Sequence, residues 1–240
     1  MKKIYLLGLA LVAYAGAFGQ TMSENFDPRT VGDYMGVESA DWTTWSGAVG
    51  GAEDVQVTDT EATSGANSIY FSTTVAAGGP QDVLIPFGGE YNTGMFSFES
   101  KFYIEDNKGA YFNFQGETTP GGLYSMNCQM VNDGRLLMDA GGSPLIETTY
   151  PSEEWFTVTV NVNLNSNDWE LLIDGVSQGS FTNPNNQIAS ADLYPVNSAS
   201  GGNNLAGYYM DDISYEHTPY VLPARNVAVT EIKNVAGLAT

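Results

Sequence analysis

Residues 155–181 read WFTVTVNVNLNSNDWELLIDGVSQGSF, and this stretch decides the predicted fold. Apolar and polar residues alternate at its start, so that one side carries Phe156, Val158, Val160, Val162 and Leu164. A period of two is typical of a β-strand with one buried face. Asp174-Gly175 separates two further runs, 169–173 and 176–181, and favours a two-residue hairpin turn, because both central positions of that turn need positive φ. The stretch therefore predicts three consecutive strands joined by turns.

The same alternation recurs before this stretch. Its apolar positions are Phe96, Phe98, Phe102 and Ile104 in one strand, where Ser100 interrupts, and Ala110, Phe112 and Phe114 in the next. Asn132-Asp133-Gly134 marks another turn, and Cys128 is in register with Met126 and Met130, which predicts a buried core thiol. The one helix expected is a short one in a loop over residues 187–193. Short strands with frequent turns predict an all-β fold, an antiparallel two-sheet β-sandwich.

The N-terminus has the pattern of a signal peptide over residues 1–19. Lys2 and Lys3 precede an apolar run, 4–15, and Ala17-Phe18-Gly19 supplies the small residues of a cleavage site before Gln20. The alternative is an uncleaved N-terminal anchor, although the run is short for a membrane span. After cleavage we expect no membrane insertion. Since Cys128 is the only cysteine, no intrachain disulfide forms, which favours a bacterial exported protein.

The remaining chain divides into three parts. Residues 20–216 fit one β domain, 217–225 read as a linker that begins with His217, and 226–240 start a new alternating strand. One strand does not make a domain. We therefore expect that the chain is a piece of a larger protein with further domains; the alternative is a C-terminal tail that packs back on the sandwich.

The charge is strongly acidic and excludes some partners. The chain has 28 Asp and Glu against 8 Lys and Arg, a net charge of −20. Such a surface repels nucleic acid and anionic membranes, so neither is expected as a partner. It suits cation binding or a salty habitat, and it equally serves solubility alone.

Several short motifs follow one another in a recognisable order. They are 24–27 (ENFD), 41–46 (DWTTWS), 50–55 (GGAEDV), 64–69 (SGANSI), 154–158 (EWFTV) and 167–175 (NDWELLIDG). Over residues 24–215 this order resembles the concanavalin A-like (laminin-G-like) jelly-roll modules of exported Bacteroidetes proteins. The resemblance implies a two-sheet jelly roll, type IX secretion, and a location outside a Gram-negative bacterium or on its surface. It also implies contact with a polysaccharide or a glycoconjugate, with cell adhesion as one role.

Catalytic patterns are missing. The resemblance also covers enzymes of the same fold that cleave β-glucans, and these use the pattern Glu-x-Asp-x-x-Glu along one strand. No glutamate of the chain starts that pattern. Glu153 and Glu154 are adjacent, so on a strand their side chains point to opposite faces. His217 is the only histidine and falls in the predicted linker, so a Ser-His-Asp site inside the domain is hard to build. We expect that the chain is not an enzyme.

Paired aspartates in the last predicted strand suggest a metal site. Asp211 and Asp212 have apolar neighbours on both strand faces, and a buried carboxylate needs a partner that the few basic residues hardly supply. Calcium accepts carboxylate oxygens readily. Because the resemblance implies that the first and last strands are adjacent, Glu24 and Asp27 complete the predicted calcium site. The alternative is that these carboxylates are exposed or accept hydrogen bonds from backbone amides.

A polar sheet face is the predicted glycan site. If the phenylalanines of the 96–104 and 110–116 strands point inward, polar side chains share the outer face: Glu99, Lys101, Tyr103, Tyr111, Asn113, Gln115, Asn127 and Gln129. Amides and tyrosines offer the hydrogen-bonding groups and flat apolar surface that sugars need. The alternative is an ordinary solvated sheet face. Trp42 and Trp45 in a polar loop either stack on a sugar ring or close the end of the sandwich.

These features predict an extracellular glycan-binding or adhesion module without catalytic activity. Two alternatives stay open: a structural spacer domain without a ligand, and a polysaccharide hydrolase or lyase on the same fold.

Overall fold

The computed structural model describes residues 19–73, 75, 77–196 and 205–221. They form two antiparallel β-sheets packed face to face, which confirms the predicted all-β sandwich. The predicted signal peptide up to residue 18, the linker from residue 222 and the strand predicted from residue 226 lie outside the described residues. Within the described part, no helix is long and apolar enough to cross a bilayer.

Fifteen strands and one helical turn make up the described fold. In chain order they are β1 (Gln20–Glu24), α1 (Met35–Glu38), β2 (Thr43–Thr44), β3 (Val57–Thr58), β4 (Ser68–Thr73), β5 (Val83–Tyr91), β6 (Met95–Ile104), β7 (Ala110–Gln115), β8 (Tyr124–Met130), β9 (Arg135–Asp139), β10 (Ile146–Thr149), β11 (Trp155–Asn163), β12 (Asp168–Ile173), β13 (Val176–Phe181), β14 (Ile188–Leu193) and β15 (Ala206–Thr218).

One sheet has eight strands and the other has seven. The eight-stranded sheet has the order β13-β12-β11-β6-β15-β4-β3, and the seven-stranded sheet has the order β10-β9-β8-β7-β14-β5-β2. The eighth strand, β1, also pairs with β15, from Gln20 opposite His217 to Glu24 opposite Ile213. The first and last strands of the described fold are therefore neighbours.

Alternating apolar side chains build the core between the sheets. Phe156, Val158, Val160 and Val162 of β11 are at most 2% exposed, as the alternation predicts. Across the core, Phe114 of the seven-stranded sheet packs edge-on against Phe96 and Phe98 of β6, and it also packs edge-on against Phe87 of its own sheet. Cys128 is fully buried, and burial raises the pKa of its thiol, so the predicted core role is confirmed.

The predicted hairpin turns are present. Asp174 and Gly175 join β12 to β13 with φ of 48° and 74°, the positive values that the Asp-Gly pair predicts. The turn at 132–134 joins β8 to β9, with Gly134 at φ 86°. Local turn chemistry therefore fixes both hairpins.

Two sequence expectations are wrong. Residues 187–193 are not helical, because Ile188–Leu193 form β14, whose six residues are all buried. A strand covered on both faces has no alternation, which explains the missed prediction. The last strand also extends past the predicted boundary at residue 216, so His217 is buried inside β15 and stacks on Tyr91 at a ring-centroid distance of 3.8 Å.

A bulge interrupts the pairing of β15 with β6. The register shifts between Asp211 and Ser214, and Asp212 has a positive φ of 48°. Bulges bend a strand and redirect side chains. This bulge sits at the pair of aspartates for which the sequence predicts calcium.

Candidate functional site

The predicted polar face is divided between the two sheets. Glu99, Lys101 and Tyr103 belong to β6 of the eight-stranded sheet, whereas the other predicted strand residues belong to β7 and β8 of the seven-stranded sheet: Tyr111, Asn113, Gln115, Asn127 and Gln129. The outer faces of a sandwich point in opposite directions, so the prediction of a single face is wrong. Residues 105–109 carry the chain from one sheet to the other, and alternation reveals which side of a strand is buried but not which sheet the strand joins.

Four polar residues lie side by side across the seven-stranded sheet. Asp192 on β14 is opposite Asn113 on β7, Asn113 is opposite Asn127 on β8, and Asn127 is opposite Asp139 on β9. We call these four residues the polar row. The Asn113 amide donates to Asp192 at 2.5 Å, and the Asn127 amide donates to Asp139 at 2.8 Å. Cross-strand pairing therefore places four separate polar residues in one line that consists of two hydrogen-bonded pairs.

Neighbouring side chains extend this network. The Tyr111 hydroxyl donates to Asn127 Oδ1 at 2.7 Å, and the Gln129 amide donates to Asp139 Oδ2 at 3.0 Å. Gln115 donates to Asn113 Oδ1 and accepts a hydrogen bond from the Gly121 amide. Asn113 and Gln115 are at most 1% exposed. These two predicted ligand-binding residues face outward from the sheet but are covered, so they support the surface groups rather than present themselves.

An aromatic pair lies beside the polar row. The rings of Trp45 and Tyr124 stack with centroids 6.5 Å apart, and Tyr124 is 41% exposed. The Tyr194 hydroxyl donates a hydrogen bond to the Ala77 carbonyl at 2.6 Å. Trp42 is different, because it is only 3% exposed and packs edge-on against Phe26. Of the two alternatives, core packing therefore describes Trp42, while Trp45 faces the candidate site.

These groups line one open pocket with a volume of about 470 Å³. Its lining combines the rings of Trp45, Tyr124 and Tyr194 with the amides of Asn127 and Gln129. Tyr111, Asp82 and Asp192 also line it. A cleft that joins aromatic surface to convergent polar groups has the composition of a small-molecule binding site.

A pair of carboxyl groups in this pocket was not foreseen from the sequence. Asp82 directly precedes β5, and its carboxyl group lies within interaction range of that of Asp192, which is 4% exposed. Among the described protein groups, Asp82 Oδ1 and Asp192 Oδ1 are buried and meet no donor. Because two carboxylates only accept hydrogen bonds and repel each other, this placement favours a proton on one of them. The sequence does not reveal this pair because residues 188–193 have no strand-like alternation. Only the strand β14 places Asp192 opposite Asn113.

The surroundings of this pair favour the protonated form. Burial raises the pKa of Asp82 to about 8, and the nearby Asp192 and Glu53 charges add to the effect. Burial also raises the pKa of Asp192, although the Asn113 and Asp82 hydrogen bonds oppose the rise. Because the two groups lie in one buried site, a bound proton relieves their repulsion, and the pair favours holding it at pH values at which an ordinary aspartate is ionised.

Three of the four predicted calcium ligands meet at one loop, residues 63–66. Asp211 Oδ2 accepts from the amides of Thr63 and Ser64 at 2.9 and 3.0 Å, and Asp212 accepts from the Ser64 hydroxyl at 2.6 Å. Asp27 Oδ1 accepts from the Ala66 amide at 2.8 Å. The Asp27 carboxylate also fills the space that a side chain at position 65 would need, which explains the glycine there.

Cations of the protein complete this arrangement. Glu24 pairs with the Arg29 guanidinium at 2.5 Å, and Asp212 pairs with the Lys101 ammonium at 2.8 Å. Burial raises the pKa of Asp212, but Lys101 and Ser64 outweigh it and hold that pKa below its ordinary value. Each of the four carboxylates thus accepts a hydrogen bond or forms an ion pair within the protein. This agrees with the alternative in which backbone amides, rather than calcium, are their partners. Calcium at this position stays a prediction.

Comparison with known proteins indicates a shared fold. No protein-family model matches the chain, and no curated protein sequence matches it. Among solved structures, a sialidase is similar with a TM-score of 0.58 at 12% identity, over 83% of this chain and 18% of the sialidase chain. An alginate lyase of polysaccharide lyase family 7 has a TM-score of 0.48 at 12% identity, over 68% of this chain and 82% of the lyase. Basic winged bean lectin with Tn-antigen has a TM-score of 0.48 at 9% identity, over 84% of this chain and 99% of the lectin.

The chain therefore spans less than a fifth of the sialidase that it resembles. At such identities the likeness establishes the fold alone. It agrees with the predicted concanavalin A-like jelly roll.

Proposed function

We propose that the chain is a glycan-binding module, and that its binding site is the pocket beside the polar row. One observation carries the proposal: the stacked rings of Trp45 and Tyr124 line the same open pocket as the amides of Asn127 and Gln129. A sugar ring has a flat apolar face and a rim of hydroxyl groups. Aromatic rings match the face, and amides match the hydroxyls because each amide both donates and accepts.

The amides are held in place and retain unused capacity. Asn127 receives the Tyr111 hydroxyl and donates one N–H to Asp139, while Gln129 donates one N–H to the same carboxylate. Each amide has a second N–H, and Gln129 has a carbonyl oxygen, that meet no other described protein group. A buried Asp139 thus orients both amides, and preorganised groups bind with less loss of conformational entropy.

We also propose that the module is not catalytic. Glycosidases that use two carboxyl groups separate them by about 5–5.5 Å when they retain configuration and by about 6.5–9.5 Å when they invert it. The Asp82 and Asp192 carboxyl groups instead lie close enough for each to affect the pKa of the other. A pair that favours a bound proton in one buried site differs from two separated carboxyl groups on either side of a glycosidic bond, which supports a binding role.

The proposed setting follows from the sequence. The signal-peptide pattern of residues 1–19 and the order of motifs over residues 24–215 support export from a Gram-negative bacterium of the Bacteroidetes, through type IX secretion. In this setting the module is part of a larger surface protein, with adhesion to polysaccharides or glycoconjugates as its role. We retain calcium at Asp27, Asp211, Asp212 and Glu24 as a proposal that the binding experiment also tests.

The test is binding of the purified protein to a panel of short oligosaccharides, with calcium and then with chelator. Calorimetry on each positive sugar gives the dissociation constant of the wild type and of two variants, Trp45→Ala and Asn127→Ala. Each variant is expected to weaken binding at least tenfold, because one loses the stacking surface and the other loses the oriented amide. Tyr220→Ala is the matched control, since Tyr220 is an exposed tyrosine beyond the last strand.

Two results would count against the proposal. A folded wild type that binds no oligosaccharide under either condition removes the glycan-binding function. Unchanged affinity in both variants, with near-ultraviolet circular dichroism like that of the wild type, moves the site away from this pocket. Loss of binding on chelation, reversed by calcium, would support the calcium proposal, and equal affinity in both conditions would remove it.

A further inference from the structure

Four aromatic residues form a line across the other outer face of the sandwich. Tyr70 on β4 is opposite Tyr209 on β15, Tyr209 is opposite Tyr103 on β6, and Tyr103 is opposite Trp155 on β11. The successive ring centroids are 4.5, 6.0 and 5.8 Å apart. We call these residues the aromatic row. It runs perpendicular to four adjacent strands and is about 15 Å long, since neighbouring strands lie about 4.8 Å apart.

The row is open to solvent and has unused hydrogen-bonding groups. Tyr70, Tyr103 and Trp155 are half-buried, and Tyr209 between them is 7% exposed. The Tyr70 hydroxyl donates to Glu105 at 3.0 Å. Among the described residues, no acceptor meets the Trp155 indole N–H or the hydroxyls of Tyr103 and Tyr209. Tyrosine and tryptophan usually find such partners when they are buried, whereas these three groups are left to donate to water or to a ligand.

The surroundings of the row are acidic. Burial raises the pKa of Tyr103, and the charges of Glu61, Glu153 and Glu105 raise it further. Glu105 and Glu61 act on Tyr209 in the same direction, after burial. A negative potential at the rings repels uronate or sulfate groups and phosphate backbones. It leaves uncharged ligands unaffected.

We propose that the aromatic row binds an extended, uncharged polysaccharide chain that lies across the four strands. Successive rings are tilted by 35°, 73° and 52° to one another, so that partly exposed ring faces and edges follow each other across the strands. They offer apolar surface to successive sugar rings, and the free indole and phenol groups donate to hydroxyls along the chain. A peptide strand would instead pair with a sheet edge, and the row crosses the middle of the sheet. This surface is separate from the pocket beside the polar row and does not depend on the function proposed for it.

The experiment uses affinity electrophoresis of the purified protein through gels that contain soluble glucomannan, mixed-linkage β-glucan or arabinoxylan. Alginate and polygalacturonate serve as anionic probes. We expect retardation by at least one neutral polymer and by neither anionic one. Trp155→Ala is expected to weaken binding to that polymer at least tenfold, and Tyr103→Leu, which keeps an apolar side chain but loses the ring, at least threefold. Tyr220→Ala again supplies the exposed-tyrosine control.

Each contrary result is specific. Retention of neutral-polymer affinity in both folded variants, or no binding of any neutral polymer by the folded wild type, overturns the proposal. A wild type that elutes as a dimer while Trp155→Ala elutes as a monomer makes a second copy of the chain the occupant, and overturns it as well. The variants separate the two sites, because Trp45→Ala and Asn127→Ala change the pocket alone whereas Trp155→Ala and Tyr103→Leu change the aromatic row alone. The failure of either proposal is therefore seen separately.

Discussion

The two outer faces of the sandwich each carry a line of four residues on four adjacent strands, and the two lines are chemically opposite. The polar row runs from Asp192 to Asp139, and the aromatic row runs from Tyr70 to Trp155. The polar row is mostly covered, since three of its four members are at most 5% exposed. The aromatic row is more open, since three of its four members are partly exposed. One fold thus presents a pocket lined by amides on one face and a line of aromatic rings on the other.

The aspartates of the two sheets differ in the same way. Asp211 in the eight-stranded sheet has its carboxylate fully engaged by backbone amides, whereas Asp82 and Asp192 in the pocket meet each other. A carboxylate whose hydrogen bonds are all made within the protein stabilises the structure. A carboxylate that lacks donors within the protein can instead bind a proton or a ligand. Three variants test this distinction.

The largest effect is expected at Asp211. Asp211→Ala removes the acceptor for the amides of Thr63, Ser64 and Asp212 and leaves these partly buried donors unpaired. We expect a loss of about 2–4 kcal/mol in the free energy of unfolding, measured by urea denaturation. Asp59→Ala, at an exposed position, is the control. A loss no larger than that of the control would mean that the loop at 63–66 does not need this carboxylate.

The second largest effect is expected at Asp82, where a substitution should stabilise the protein at high pH instead of destabilising it. Its pKa in the folded state is about 8, above the ordinary value of 3.8, so folding is favoured while the proton is bound. That contribution is complete below about pH 4 and is lost as the pH rises through about 8. We expect the wild type to lose on the order of 1–2 kcal/mol between pH 5 and 9, after allowance for partial solvent screening.

Asp82→Asn supplies a permanent donor to Asp192, because the amide N–H replaces the shared proton. The variant should therefore be more stable than the wild type at pH 9 and show a smaller change between pH 5 and 9, by urea denaturation at both values. Asp168→Asn, at an exposed position, controls for the loss of one negative charge. Identical pH dependence in Asp82→Asn and the wild type would mean that the pair does not retain a proton.

The smallest effect is expected at Lys101. Its ion pair with Asp212 joins groups that are 34% and 29% exposed, and partly exposed pairs contribute about 0.2–1 kcal/mol. Lys101→Met should destabilise the protein within that range at low salt, and the difference should shrink at 1 M salt because screening removes the attraction. A loss of several kcal/mol would place this pair in the same class as Asp211.

Much of the fold could be predicted from the sequence, because its strands obey a local rule. Phe156 to Val162 alternate with polar residues since one face of β11 is buried, and Asp174-Gly175 forms its turn since both residues tolerate positive φ. The strand β14 could not be predicted in this way. Its small residues Ala189, Ser190 and Ala191 are buried on both faces, so the period is lost.

The candidate site was harder to predict because it depends on contacts between distant strands. Tyr111, Asn127 and Gln129 were expected to face outward and do so, but Tyr103 was assigned to the same face and lies on the other sheet. Asp82 lies 110 positions before Asp192 in the chain, and only the pairing of β14 with β5 and β7 brings them together. The register of strand pairs, rather than the period within a strand, determines both rows.

The pairing of β1 with β15 has a mechanical consequence. Gln20 at the start of β1 lies opposite His217 near the end of β15, so both ends of the described fold lie together at one end of the sandwich. Polypeptide that continues beyond β15 would therefore hold the sandwich by that one end alone. The module would then be attached at a single point, with both of its outer faces accessible to ligands.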